Sequence, residues 1–206
     1  MYIHFIKRLI DIVLSGAGLI LLSWLYLLIA IAIIIDDPGP IVFRQRRIGI
    51  GKTIFNLIKF RTMKMSAPHD TPTHLLADPN KYITRVGHFL RKSSLDELPQ
   101  IWQIFTGDMS IIGPRPALWN QDDLVAERDK YGANDIKPGL TGWAQINGRD
   151  ELEIPVKAKL DGEYAACMRK GGFKAFLFDC RCFFLTLIAV FKGSGVVEGG
   201  TGQMKR

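Results

Sequence analysis

Between Leu9 and Ile35 the chain is almost wholly apolar, interrupted by Asp11, Ser15 and Ser23. As one helix, these 27 residues would reach roughly 40 Å, against a bilayer hydrocarbon core about 30 Å thick. The run is too long for the apolar part of a cleaved leader, and Ile33-Ile34-Ile35, not a small-x-small site, stands immediately before Asp36-Asp37. An integral membrane protein with a body after residue 36 is therefore expected. Lys7 and Arg8 precede the run, and Arg44, Arg46, Arg47 and Lys52 follow it. Basic flanks favour the cytoplasmic side, and both flanks ask for that side. A re-entrant hairpin satisfies both, provided the backbone groups at its bend find partners. The candidate bend is Ser15-Gly16-Ala17-Gly18, or Ser23, whose hydroxyl can bond a carbonyl one turn back. The residues alone leave hairpin and single span open.

The net charge of +7 is unevenly placed. Residues 1–37 and 93–206 each carry a net −1, whereas residues 38–92 hold 11 basic groups against Asp70 and Asp78. Such a stretch attracts nucleic acid, an anionic membrane face or a phosphorylated substrate. A membrane-anchored nucleic-acid binder is thus one reading, but few aromatics accompany these cations and no nucleic-acid motif is present. Three cysteines, late and odd in number, exclude a disulfide scaffold.

Asp37-Pro38-Gly39-Pro40 closes the membrane segment. Ile41–Arg47 and Thr53–Phe60 read as a β-hairpin around Gly49-Ile50-Gly51-Lys52, and 66–80 as a surface loop. Ser94–Phe105 reads as a helix capped by Ser94, with Glu97 at its third position and Gly107 as its stop. Asn120–Tyr131, Val156–Arg169 and Phe173–Phe191 are further helices, and Lys137–Gly148 an ordered loop. The last helix, apolar but carrying Asp179 and Arg181, is either buried in the core or lies at the membrane interface.

Chemistry concentrates around Asp96-Glu97. A capping box explains this pair in isolation. Its neighbours, Arg91-Lys92 and the loops Gly107-Asp108-Met109-Ser110 and Gly113-Pro114-Arg115-Pro116, point instead to a phosphate and divalent-cation site. Arginine matches phosphate by bidentate hydrogen bonding, and adjacent carboxylates suit Mg²⁺. No Walker loop, zinc pattern or nucleophile elbow competes.

Phe60-Arg61-Thr62-Met63, the run from Leu90 to Gln100, Gly113-Pro114-Arg115-Pro116 and the run from Lys137 to Arg149 together resemble the bacterial sugar transferases. These are monotopic phosphoglycosyl transferases, which move a sugar-1-phosphate from a UDP-sugar to polyprenyl phosphate. The resemblance spans about residues 4 to 195. It implies Asp96 as nucleophile and Glu97 as its partner, holding Mg²⁺ or managing the acceptor's proton. Arg91 and Arg115 would bind phosphate, Lys59 would lie near the acceptor and Arg149 near the nucleotide. Pro114, Gln145 and Asp161 complete the implied substrate site.

The implied fold is α+β: a re-entrant membrane helix over 1–36, then a catalytic domain over 37–206 on the cytoplasmic face of the bacterial inner membrane. That domain combines a small β-hairpin or sheet with several helices, some amphipathic and interfacial. The implied partners are a UDP-sugar, undecaprenyl phosphate and membrane lipids, without nucleic acid; a homodimer is left open. The sugar is expected to be an N-acetylated hexose such as GalNAc or a 6-deoxy relative, in O-antigen, capsule or glycoprotein glycan synthesis. Two departures stand out. Ser23-Trp24 replaces the Ser-Pro of many members, so the bend is less enforced. Asp161-Gly162-Glu163-Tyr164-Ala165 lacks the paired aromatics common after the aspartate.

Overall fold

The computed structural model describes residues 2–67, 79–148 and 152–191. After a wide helical turn, Tyr2–Ile6, the apolar segment forms two helices, α1 (Lys7–Leu21) and α2 (Ser23–Asp36), bent by 59° at Leu22. No single helix among the described residues is long and apolar enough to cross a membrane, though the bent pair passes that test together. The bend falls at one of the two candidate positions. Ser23 Oγ donates to the Ile20 carbonyl at 2.9 Å, so a hydroxyl covers a carbonyl at the break without proline.

Strands β1 (Val42–Ile48) and β2 (Ile54–Phe60) pair antiparallel, Val42 opposite Phe60 and Ile48 opposite Ile54. Alternation puts Leu57 and Lys59 on the face toward the body, and leaves Arg44 and Arg46 exposed. Next come α3 (Arg85–Lys92), a 3₁₀ turn at Leu95–Glu97, α4 (Gln100–Thr106), β3 (Ser110–Ile112) and α5 (Asp122–Asp129). β4 (Gly139–Thr141), α6 (Trp143–Ile146), α7 (Ile154–Lys170) and α8 (Gly172–Phe191) follow. The expected ordered loop over 137–148 thus holds a strand and a short helix. Its strand pairs parallel with β3, Ser110 opposite Gly139 and Ile112 opposite Thr141.

The expected helix over Ser94–Phe105 does not form as one piece. Pro99 would fall inside it, where proline lacks the N–H for the ladder and clashes with the preceding turn. The chain instead makes the 3₁₀ turn and starts α4 after Pro99. Ser94 takes a left-handed conformation (φ 56°) and its side chain caps nothing, so the capping box is absent. Gly107 (φ 108°) ends α4 as expected.

Both arms of the bent segment are fastened to the body. On α1, the buried row Lys7, Asp11 and Ser15, four residues apart, faces inward. Lys7 Nζ donates to Asp179 Oδ2 at 2.8 Å, and the Ile111 amide donates to Asp11 Oδ1 at 3.0 Å. Arg8 donates to the Ile104 and Phe105 carbonyls at 2.6 and 2.7 Å, covering the C-terminal end of α4 where a cation is favoured. At the far end, Asp36 accepts from the Val86 amide, and Asp37 pairs with Arg61 at 2.9 Å. Ile29 and Ile33 of α2 pack with Phe60 and Leu90. The apex is the bare part: Ile20, Leu21 and Trp24 are 76%, 70% and 61% exposed.

Helix α8 has two faces. Ala175, Asp179 and Cys182 are buried, while Phe173, Leu177, Phe184 and Ile188 are exposed. Asp179 is not stranded in apolar surroundings: Lys7 and the Tyr2 hydroxyl, at 2.6 Å, donate to Oδ2, and the Tyr164 hydroxyl to Oδ1 at 2.8 Å.

Candidate active site

Four elements bring the site together, α3 supplying Arg91. Strand β2 supplies Lys59, the 3₁₀ turn supplies Asp96 and Glu97, and the loop after β3 supplies Arg115. The left-handed Ser94 stands between α3 and the turn, and both carboxylates lie against Lys59 of β2. Lys59 Nζ lies 2.7 Å from Glu97 Oε1 and 3.6 Å from Asp96 Oδ2. Arg115 Nη2 donates to Glu97 Oε1 at 2.6 Å and Nη1 to Oε2 at 3.3 Å. Arg91, on α3, donates from Nε to Thr62 Oγ1 at 2.9 Å, and its charge is felt by Asp96.

The two neighbouring carboxylates are therefore unlike. Burial pushes Glu97 up, but Arg115 and Lys59 outweigh it and hold this carboxyl well below its ordinary range. Asp96, only 8% exposed, goes the other way. Burial raises it most, the Lys59 charge lowers it, the Glu97 charge raises it again, and Arg91 and Arg115 lower it; the balance is upward. Burial also depresses the Arg91 guanidinium, with Asp96 opposing.

Arg115 stands on a loop whose carbonyls are fixed one after another. Pro114 O accepts from Gly139 N at 2.9 Å, Arg115 O from Arg128 Nη2 at 2.9 Å, and Pro116 O from Arg47 Nη1 at 3.0 Å. Ala117 O and Leu118 O follow, accepting from the amides of Ile48 and Gln121, both at 3.0 Å. The loop also interlocks with β4. A Cβ on Gly139 would overlap Gly113 N, and one on Gly113 would overlap the Lys137 carbonyl.

Of the expected site residues, Lys59, Arg91, Asp96, Glu97 and Arg115 converge, with Pro114 in the backbone that carries Arg115. Gln145, on α6, is buried and neither polar atom of its amide has a hydrogen-bond partner. Asp161, on α7, is 1% exposed and accepts from Arg128 Nε at 2.8 Å and Nη2 at 2.5 Å. Arg149 lies outside the described residues. Among the described residues, no group of three or more His, Cys, Asp or Glu gathers as a preformed metal cage. Sequence reasoning missed Arg128, which showed only as one charge in a charged helix, and Arg47, which showed only as part of a basic run.

The chain belongs to the bacterial sugar transferase family, whose model matches residues 2–193. A UDP-glucose:undecaprenyl-phosphate glucose-1-phosphate transferase of Escherichia coli is 39% identical over 91% of this chain and 40% of its own length. An uncharacterised sugar transferase of Bacillus subtilis is 34% identical, over 94% of this chain and 91% of its own. A UDP-N-acetylgalactosamine-undecaprenyl-phosphate N-acetylgalactosaminephosphotransferase of Aeromonas hydrophila is 38% identical over 69% of this chain and 34% of its own length. The chain thus spans less than half the length of the E. coli and A. hydrophila relatives.

Proposed function

We propose that this chain transfers a sugar-1-phosphate from a UDP-sugar to undecaprenyl phosphate and releases UMP, with Asp96 as nucleophile. The observation that carries this reading is the asymmetry of the pair. Glu97 is already bonded through both oxygens to cations, whereas the ion pair of Asp96, with the Lys59 ammonium, spans 3.6 Å. A carboxylate so placed can attack phosphorus while the surrounding cations receive the diphosphate.

In the first step an Asp96 oxygen forms a bond to the β-phosphorus. The bridging P–O bond breaks and UMP leaves with the electron pair. In the second, a phosphate oxygen of undecaprenyl phosphate attacks that phosphorus. The acyl-phosphate bond breaks, Asp96 returns as a carboxylate, and a diphosphate-linked lipid sugar is released. Glu97 holds Lys59 and Arg115 in place rather than accepting a proton, since its carboxyl is held far below neutrality.

Mg²⁺ fits this donor set, because an ion bound together with substrate phosphates needs only one or two protein carboxylates. Asp96 would hold it, Glu97 being committed to its two cations, and the ion would neutralise charge on the diphosphate. Several of the basic groups in 38–92 also serve the protein itself. Lys59 faces the site, Arg61 pairs with Asp37, Lys52 with Asp129, and Arg47 holds the Arg115 loop. That use of charge favours the transferase over a nucleic-acid binder.

The apolar segment is read as re-entrant at the cytoplasmic face of the inner membrane. Supporting this, both of its ends bond to one body, through Lys7 and Arg8 at one end and Asp36 and Asp37 at the other. The exposed apolar face of α8 would lie against the same surface. A cysteine placed at Phe5, in a chain otherwise free of cysteine, should be labelled only from the cytoplasmic side. Labelling from the periplasm alone overturns the hairpin.

The donor is read as an N-acetylated hexose such as GalNAc or a 6-deoxy relative, in the first membrane step of O-antigen or capsule assembly. Relatives named for glucose and for N-acetylgalactosamine are 39% and 38% identical, over 91% and 69% of this chain, so identity alone does not choose the sugar. The test is therefore a panel of UDP-sugars assayed for UMP release with undecaprenyl phosphate. Incubation with the accepted donor alone should leave a phosphosugar mass on Asp96. Full turnover by a folded Asp96→Asn variant would end the covalent mechanism.

A further inference from the structure

Arg128 and Asp161 form an ion pair that is 3% and 1% exposed, on α5 and α7. Two charges taken out of water are costly, and a pair of apolar side chains of similar volume often serves stability as well or better. The pair therefore calls for a reason beyond packing α5 on α7. Arg128 supplies one. It turns Nε and Nη2 toward Asp161 Oδ2 at 2.8 and 2.5 Å, and Nη2 also donates to the Arg115 carbonyl at 2.9 Å. Asp161 thus fixes the guanidinium, and the guanidinium fixes the backbone from which the Arg115 side chain reaches Glu97. The path from Asp161 through Arg128, Arg115 and Glu97 to Lys59 consists of hydrogen bonds and ion pairs throughout.

We propose that Arg128 and Asp161 are positioning residues for Arg115: they aim its fork at Glu97 and at the diphosphate, and Asp161 makes no contact with substrate. This inference rests on the transferase reading given above. It differs from a structural role in one measurable respect, because a pair acting through Arg115 has nothing left to position once the Arg115 side chain is gone.

The experiment is a mutant cycle on the full chain in detergent, read as UMP release. Asp161→Asn alone leaves a buried unpaired guanidinium and can fail to fold. The main variant is therefore the joint replacement Arg128→Met with Asp161→Leu, which removes both charges together. Arg128→Lys, which keeps a counter-ion for Asp161 but gives up the fork, is measured beside it.

Each is expected to lower kcat about 10- to 100-fold, the range seen when a supporting shell is lost, with KM changed less than kcat. In an Arg115→Ala background the same replacements should lower kcat/KM less than about threefold, because effects along one path do not add. Equal losses in both backgrounds, or wild-type rates in both variants, overturn the positioning role. The wild type in the same assay separates the two failures. An active wild type with additive losses overturns this inference alone, whereas a wild type inactive toward every UDP-sugar overturns it together with the transferase reading.

Discussion

Lys59 reaches Glu97 at 2.7 Å but stands 3.6 Å from Asp96, so a single ammonium serves one carboxylate closely and the other at a distance. Its field is the largest influence lowering Asp96 against the burial that raises it. Because the Asp96 carboxyl titrates above its ordinary value, the acid limb of kcat/KM should lie above the range of an exposed aspartate. Lys59→Met removes a lowering influence. The acid limb should then move to still higher pH, which a pH-rate profile of UMP release will show. An unmoved limb would mean that Asp96 is not the titrating group.

Glu97→Gln should act in the opposite sense on the same profile. Removing its charge takes away an influence that raises Asp96, so the acid limb moves to lower pH. Lys59 and Arg115 lose their shared anchor, and kcat/KM should fall by about 10² or more, as when an oriented donor is removed from a transition state. A loss of rate without the shift would separate the electrostatic effect from the geometric one.

Chelation gives a third expectation. EDTA should stop UMP release, and added Mg²⁺ should restore it without refolding, because in the proposed mechanism Asp96 with substrate phosphates would supply the ligands. Full activity in EDTA would remove the ion from the mechanism.

The Asp179 carboxylate collects Lys7, Tyr2 and Tyr164 in one buried cluster. Asp179→Ala leaves a buried ammonium without its counter-ion and the Tyr2 hydroxyl without this acceptor, while the Tyr164 hydroxyl keeps the Ile112 carbonyl at 3.0 Å. It should cost about 3–5 kcal/mol of stability, read as a large fall in the thermal midpoint in detergent. Asp179→Asn, which keeps one acceptor oxygen, should cost less.

Much of this molecule is legible in its residues, and what is not has identifiable causes. The β-hairpin follows from two β-like runs around a glycine-rich turn, α8 from its apolar character and α5 from a charged run, all local signals. Lys59, Arg91, Asp96, Glu97 and Arg115 come together in space, and each lies in or beside a motif singled out in the sequence. The helix expected from Ser94 fails on Pro99, a signal present in the sequence but outweighed by the Ser94 and Glu97 spacing. The left-handed Ser94 carries no local mark at all, since only tertiary bonds to Lys59 and Arg115 decide which way Glu97 faces. The parallel pairing of β3 and β4 joins strands of three residues each, too short for any periodic pattern to show. Arg128 acts through a backbone carbonyl, and a partner of that kind leaves no trace in composition or spacing.

The bent apolar segment is held at both ends by the body, through Lys7 and Arg8 on one arm and Asp36 and Asp37 on the other. A free transmembrane helix meets a thicker or thinner bilayer by tilting, at little cost. In the re-entrant reading proposed above, a wedge anchored on both arms would have no such freedom. Its depth would be set by the protein, and any mismatch in thickness would be taken up by the lipid around the apex at Ile20–Trp24 or carried back into α4 and β2. Bilayer thickness would then become a mechanical input to β2, which carries Lys59, and to α4, which follows the turn carrying Glu97.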